Sequence, residues 1–226
     1  MSSLAQQLYF PFPQKTSFSR EDFFVSQSNQ EAIHWIESWP WQHPILSLSG
    51  PTHSGKTHLG HIWSEIAHQA EILTWPFCFD AFESLKGKNL VLDFDNFSPQ
   101  EQPLSSADEE ALFHFYNRVL ENKNSVLWIS NPPPSQWDNI KLPDLRSRLR
   151  AIPAVFVKQP DDQLLSMIYI KKFHDLQWKV SPKIIQYLIS HGPRSYKEIE
   201  LLIDRLSEKL LEEKKTLSLL MIKSVL

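Results

Sequence analysis

The octapeptide Gly50-Pro51-Thr52-His53-Ser54-Gly55-Lys56-Thr57 sets two glycines, a lysine and a hydroxyl at the spacing G-x-x-x-x-G-K-[ST]. This is the pattern of a phosphate-binding loop. The glycines let the backbone wrap an anion, so that successive N–H groups point inward. Lys56 brings a compact positive charge to the β and γ phosphates, and the Thr57 hydroxyl suits the shell of a Mg²⁺ ion. Pro51, Thr52, His53, Ser54 and His58 complete the expected cradle, and the following helix turns its positive end to the anion. From average residue usage the pattern alone arises by accident in roughly one in a hundred chains of this size. Its setting argues against accident. The apolar run from Ile45 to Leu48 reads as a buried strand before the loop, and 58–69 reads as a helix after it.

Three further sites carry chemistry. Leu90-Val91-Leu92-Asp93 is an apolar strand that delivers a carboxylate, as a Mg²⁺ shell beside a P-loop requires. Phe94 and Asp95 follow; if the strand continues, Asp93 and Asp95 share a face and Phe94 points away. Asn131 ends the run Val126-Leu127-Trp128-Ile129, where a polar side chain can report a γ-phosphate or cap the Pro-rich turn behind it. Arg146, Arg148 and Arg150 alternate along Leu142-Pro143-Asp144-Leu145-Arg146-Ser147-Arg148-Leu149-Arg150. The cluster is either a solvated basic face or an arginine finger that forks onto a nucleotide held by another subunit; Arg148 is the best candidate.

These residues need a scaffold, and the composition supplies one. At 226 residues and 42% hydrophobic, the chain is long enough for one substantial domain with an appendage. A net charge of −3 and a pI near 6.3 argue against a sequence-wide nucleic-acid footprint. Cys78 is the one cysteine, which excludes an internal disulfide framework and fits a reducing compartment. With neither a signal-like start nor an apolar run of membrane length, the expected location is the cytoplasm. The eight tryptophans, Trp35, Trp39 and Trp41 among them, read as core packing.

Residues 1–17 read as a flexible arm with one apolar knot, Leu8 to Phe12. Ser28 and Asn29 are placed to cap a helix with Ile33 and Ile36 on its buried face. Strands are expected at 72–75, 90–93, 126–129 and 154–157. Between them, 107–122 reads as a helix burying Leu112, Phe113, Tyr116 and Leu120, and 145–149 as a short one. Continuous apolar strands alternating with helices imply an α/β fold with a parallel sheet covered on both faces. The character changes near Pro160. From Asp161 the pattern is helical only, with four helices; the first carries Leu164, Leu165, Ile168 and Ile170. The expected division is an arm at 1–17, an α/β nucleotide-binding unit at 18–158 and a helical lid at 159–226.

In order and spacing these motifs resemble the DnaA-related AAA+ proteins. The likeness rests on the P-loop, the strand ending in Asp93, the strand ending in Asn131, the Leu-Pro-Asp-Leu-x-Ser-Arg-Leu segment and the helical tail, and it runs from about residue 18 onward. Asp22-Phe23-Phe24-Val25-Ser26-Gln27-Ser28-Asn29 is similar to the segment with which that family holds adenine, largely through backbone near Phe24 and Val25. Many AAA+ ATPases place a second acid directly after the first to orient the attacking water. Here that position is Phe94; Asp95, one residue further along, could substitute for the water-positioning acid only from a displaced place. The family's second sensor arginine aligns with Lys197, which keeps the charge and loses the planar fork; Arg194 stands one turn earlier. Both departures imply weak intrinsic turnover, with ADP or ATP and Mg²⁺ as a conformational cofactor.

Within that family the chain is most similar to the Hda-type regulators of the initiator DnaA. Gln7-Leu8-Tyr9-Phe10-Pro11-Phe12 resembles their sliding-clamp motif Q-L-x-L-P-L, with Phe at two Leu positions. No helix-turn-helix domain is expected after the lid, hence no sequence-specific DNA binding. The resemblance implies a regulator that binds the clamp, docks on ATP-bound DnaA and promotes hydrolysis there through Arg148, with a homo-oligomer as a further possibility. Two rivals remain open. A self-acting AAA+ ATPase such as a helicase loader needs efficient turnover, against which Phe94 counts. A small-molecule P-loop kinase needs an acceptor site, which the arginine segment and helical tail fit less well.

Overall fold

The structure, a computed structural model, describes residues 18–76, 87–213 and 217–226. The expected arm with Gln7, Leu8, Tyr9, Phe10, Pro11 and Phe12 lies outside the described residues, as does Cys78. After a 3-10 turn at Arg20–Asp22, the α/β part runs α1 (Gln30–Glu37), β1 (Ile45–Ser49), α2 (Lys56–Ile66), β2 (Glu71–Thr74), β3 (Leu90–Phe94), α3 (Ser106–Asn122), β4 (Val126–Ser130), a 3-10 turn at Pro134–Gln136, α4 (Pro143–Arg150) and β5 (Ala154–Phe156). The helical part follows as α5 (Asp162–Asp175), α6 (Pro182–His191), α7 (Tyr196–Glu213) and α8 (Leu219–Val225).

The strands form one parallel sheet in the order β2-β3-β4-β1-β5. β1, β3 and β4 lie in the middle and are buried at every position, which is why they read as mostly apolar runs. The edge strands β2 and β5 expose their alternate or terminal residues. Ser49 pairs with Ser130, and Phe94 pairs with Ser130 from the other side. The three central strands therefore end level with one another. The P-loop, the Asp93–Asp95 segment and Asn131 all leave the sheet at its carboxyl edge, where open α/β sheets bind ligands.

Helices cover both faces. On one, Ala32, Ile33 and Ile36 of α1 and Leu59, Ile62 and Trp63 of α2 pack on Leu46, Leu48, Val91, Leu127 and Ile129. On the other, α3 and α4 pack on Leu92, Phe94, Val126 and Trp128. The helical part closes on its own core, with Leu165, Tyr169, Phe173, Leu188, Ile199, Leu206 and Ile222 fully buried. Each such side chain contributes about 1.5–3 kcal/mol relative to exposure.

Several local expectations are corrected. α2 begins at Lys56, two residues earlier than read, because Gly55 at φ 91° is its left-handed N-cap. α3 buries Leu112, Phe115, Tyr116 and Val119, one i, i+3, i+4, i+7 stripe, and leaves Leu120 exposed and Phe113 at the margin. The spacing 112, 116, 120 drifts off the stripe because four residues overshoot one turn. On α5 the buried stripe takes Tyr169 and Phe173, and Ile170 faces out. Asn29 stands at the N-cap of α1 and makes no side-chain cap there. Trp35 is 39% exposed, whereas Trp63, Trp128 and Trp137 fill the core as expected.

Candidate nucleotide site

The P-loop leaves β1 at Gly50, whose φ is 154°. A Cβ built there would lie 2.3 Å from the Val157 carbonyl oxygen, so only glycine allows the loop to pass β5 this closely. At Gly55 a Cβ would press on the Phe23 ring at 3.2 Å, in a conformation that side chains rarely adopt. His53 takes the left-handed region at the crown of the loop, φ 58°, where it and Thr52 are exposed, Pro51 is half-buried and Ser54 is buried. The Ser54 hydroxyl is enclosed and has no hydrogen-bond partner among the described residues. A buried, unpaired hydroxyl beside a glycine-cornered loop and a helix N-terminus is a donor set that suits a polyphosphate.

Thr57 and Asp93 come together as the sequence implied. The Thr57 hydroxyl donates to Asp93 Oδ2 at 2.8 Å. A hydroxyl and a carboxylate in contact at the mouth of a P-loop fit a Mg²⁺ shell completed by phosphate oxygens and water. Among the described residues no group of three His, Cys, Asp or Glu side chains could hold a metal by itself.

The strand does not continue through Asp95. β3 stops at Phe94, and the Phe97 N–H donates to the Phe94 carbonyl at 2.9 Å to close a turn. Within it the Asp95 N–H donates to Asp93 Oδ1 at 2.9 Å. The turn carries the Asp95 carboxylate back to Lys56, with Nζ and Oδ1 2.8 Å apart. Lys56 is fully buried, and its ammonium also donates to the carbonyls of Gly50 (2.9 Å) and Pro51 (2.5 Å). Phe94 points away, as expected. Its ring stacks on Trp128 and Trp75 and meets Phe97 and Trp137 edge-on.

The Asp22–Asn29 segment bridges the two parts of the molecule. Phe23 belongs to the core under α2, whereas Phe24 packs on the helical core, 5.7 Å below the Lys171 ammonium. Val25 is 36% exposed and offers an apolar side chain outward. Asn29, 1% exposed, folds the loop: it accepts from the Ser26 N–H at 2.8 Å and donates to the Phe24 carbonyl at 2.8 Å. That role displaces the capping role expected of it. Asp161 ties the loop to the lid, accepting from the Ser28 N–H (3.1 Å) and from the Leu164 N–H at the start of α5 (2.8 Å). Burial pushes the Asp161 carboxyl up. The N–H of Leu164, the Ser26 hydroxyl and the N–H groups of Ser28 and Gln163 outweigh it, holding the carboxyl below its ordinary value.

His58 turns away from the loop, its Nε2 donating to the Ser19 carbonyl at 2.8 Å. Phe18 stacks on His61 at 4.2 Å, so chain next to the arm is seated on α2. Asn131 is exposed at the end of β4. Arg194 is exposed and engaged with Asp162 at 2.8 Å and the Pro160 carbonyl at 3.2 Å, and Lys197 is exposed on α7.

The arginine segment forms α4, with Leu145 and Leu149 buried. Arg150 points to Asp138 at 4.0 Å on an open surface, and Arg146 is half-buried. Arg148 lies against α3, its guanidinium carbon 4.8 Å from the Phe113 ring centroid and 5.3 Å from that of Tyr116. Burial raises the Tyr116 phenol, and the Arg148 charge pulls it partly back. Glu109 escaped the sequence reading. It is 2% exposed on α3, and its carboxylate accepts the Lys141 N–H (3.0 Å) and the Leu142 N–H (2.7 Å) just ahead of α4. Glu109, Phe113 and Tyr116 stand at i, i+4 and i+7, so one face of α3 holds both the start of α4 and its arginine. A Glu in an otherwise buried stripe was the available signal.

No protein-family model matches the sequence, and no curated protein matches it. Solved structures do. Domain III of the Thermotoga maritima replication initiation protein DnaA superposes with a TM-score of 0.72 at 16% identity, over 95% of this chain and 98% of that one. The chain has the fold of a DnaA-type AAA+ domain. AMPPCP-bound DnaA from Aquifex aeolicus gives 0.68 at 19% identity, over 88% of this chain and 67% of that one. The Thermotoga maritima RuvB Holliday junction branch migration motor gives 0.59 at 15%, over 80% and 60%. The likeness embraces the AAA+ sheet and the helical part together.

Proposed function

We propose that this AAA+ protein binds ADP or ATP with Mg²⁺ and acts as an Hda-like negative regulator of replication initiation, promoting hydrolysis of ATP held by DnaA. Nucleotide would lie at the carboxyl edge of the sheet. The P-loop amides and Lys56 face its phosphates, Thr57 and Asp93 hold the metal, and the backbone at Phe24 and Val25 borders the base. Asn131 stands where it can touch the terminal phosphate, and Arg194 and Lys197 are the lid's candidate cations. The bound Mg²⁺ supplies charge neutralisation at the phosphates.

One observation carries the regulatory reading. Phe94 occupies the position after Asp93 and is sealed in an aromatic cluster, so no carboxylate stands there to orient water, while Arg148 is braced on α3 at a half-exposed position. The chain is better equipped to complete another protein's site than its own. A guanidinium held against aromatic rings is oriented without losing its charge, which suits a group that serves phosphate oxygens. Residues 7–12 would tether the protein to the DNA-loaded sliding clamp, raising the local concentration of the partner to about millimolar through a short flexible linker.

The test measures turnover of DnaA-bound ATP with this protein and clamp on DNA. Stimulation that Arg148→Ala removes is expected. Its absence, or its indifference to Arg148→Ala, refutes the reading. Deleting residues 1–13 should abolish clamp dependence and leave nucleotide affinity intact. The likeness to the RuvB motor favours one second reading, a self-acting ATPase, which requires appreciable turnover by the isolated chain.

A further inference from the structure

Lys56 is the one P-loop cation, and its ammonium is fully engaged inside the protein. An ammonium has three N–H donors and no acceptor. Two reach the Gly50 and Pro51 carbonyls, and the remaining side faces Asp95 Oδ1 at 2.8 Å. The Lys56 side chain is 0% exposed and that of Asp95 15%. Asp95 Oδ1 is itself enclosed and makes no aligned hydrogen bond among the described residues, so its contact with Lys56 is one of charge. The Asp95 N–H is fixed to Asp93 Oδ1, which aims this carboxylate by way of the residue that also touches Thr57.

We propose that Asp95 competes with the nucleotide's phosphates for Lys56, and so sets the affinity of the site. The inference rests on the nucleotide reading above and goes beyond it by giving Asp95 a role opposite to that of a water-positioning acid. A phosphate approaching the cradle meets a cation already neutralised at contact distance and a second negative charge beside it. Lys56 must leave Asp95 before it can serve the phosphate. Apparent affinity is then the intrinsic affinity reduced by the fraction of molecules in which Lys56 is released. Burial strengthens the effect, because a charge pair shielded from water is weakly screened.

The experiment titrates ADP, and separately ATP, into the full-length wild type, Asp95→Asn and Asp95→Ser by calorimetry. Circular dichroism verifies that each variant is folded. Both substitutions remove the charge, and Asn keeps the shape, so a packing defect in one is exposed by the other. Each should bind about tenfold tighter than wild type, a competent fraction rising from roughly one in ten towards one. The same change on a Lys56→Gln background should lose most of that gain, since the two side chains act as a coupled pair. Equal or weaker binding by both folded variants overturns the proposal, because Asp95 then supports the cradle. A gain that persists in full without Lys56 overturns it as well. If neither wild type nor variant binds ADP or ATP, the nucleotide reading itself falls; if wild type binds and the variants gain nothing, that reading stands and only the competition is refuted.

Discussion

Lys56 and Arg148 are both cations at the ends of sheet-flanking helices, and the molecule treats them in opposite ways. Lys56 is buried, held by two carbonyls of its own loop and by Asp95. Arg148 is half-exposed, its guanidinium carbon 4.8 Å from the Phe113 ring centroid and 5.3 Å from that of Tyr116. The first arrangement uses the charge internally and makes an incoming phosphate compete for it. The second orients the charge without neutralising it. A compact ammonium suits the first role because its charge and donors fit a small cavity, and a planar guanidinium suits the second because it can rest against rings and keep its charge. The difference teaches that the two cations are held by separate supports, a loop and a carboxylate for one and two rings of a neighbouring helix for the other.

The sharpest break of this contrast is Arg148→Ala. Loss of a finger supplied in trans should lower stimulated hydrolysis of DnaA-bound ATP by about 10³-fold or more, with the ADP affinity of this chain unchanged by calorimetry. An equal loss of both would merge the two regions into one. Next comes Glu109→Ala, which strands two backbone N–H groups ahead of α4 and removes a buried carboxylate. It should cost about 2–3 kcal/mol in denaturant unfolding and weaken stimulation without weakening ADP binding.

Asp161→Ala tests whether the lid's hold on the 24–29 loop belongs to the nucleotide side. Loss of this helix cap should cost about 1 kcal/mol. The Asp161 carboxyl is held below its ordinary 3.8 in the fold, so its contribution is complete above that value and is lost as pH falls through the lower, folded one. Unfolding midpoints of wild type and Asp161→Ala should therefore converge only below about pH 4. The smallest effect belongs to Phe113→Leu, which keeps bulk and removes one ring beneath Arg148. A cation–π contact of about 1 kcal/mol corresponds to roughly fivefold in stimulated rate, and unfolding should move little.

Much of the site was legible because it is local. The P-loop, Asp93 as a strand-end carboxylate, the apolar strands and the short helix of the arginine segment follow from spacing and periodicity over a few residues. What failed was orientation over longer reach. Leu120 and Ile170 fit an apolar pattern and face out, since the buried stripe of a helix depends on what packs against it. Asn29 carries a capping residue type and instead braces a loop, because Phe24 and Ser26 come within its reach. Glu109 looked like an ordinary surface acid of a helix N-terminal turn until α4 was laid beside it.

The sequence by itself determined that the chain is α/β with a helical tail and that a P-loop opens α2. Composition and periodicity suffice for these, because burial of apolar strands and glycine-dependent turns are properties of short segments. Only the tertiary structure decided what the charges do. The turn after β3 brings Asp95 onto Lys56, and the packing of α3 on α4 lays Arg148 on two rings. Both depend on contacts between segments about forty or about thirty-five residues apart, and spacing along the chain carries no information about distance over such a reach.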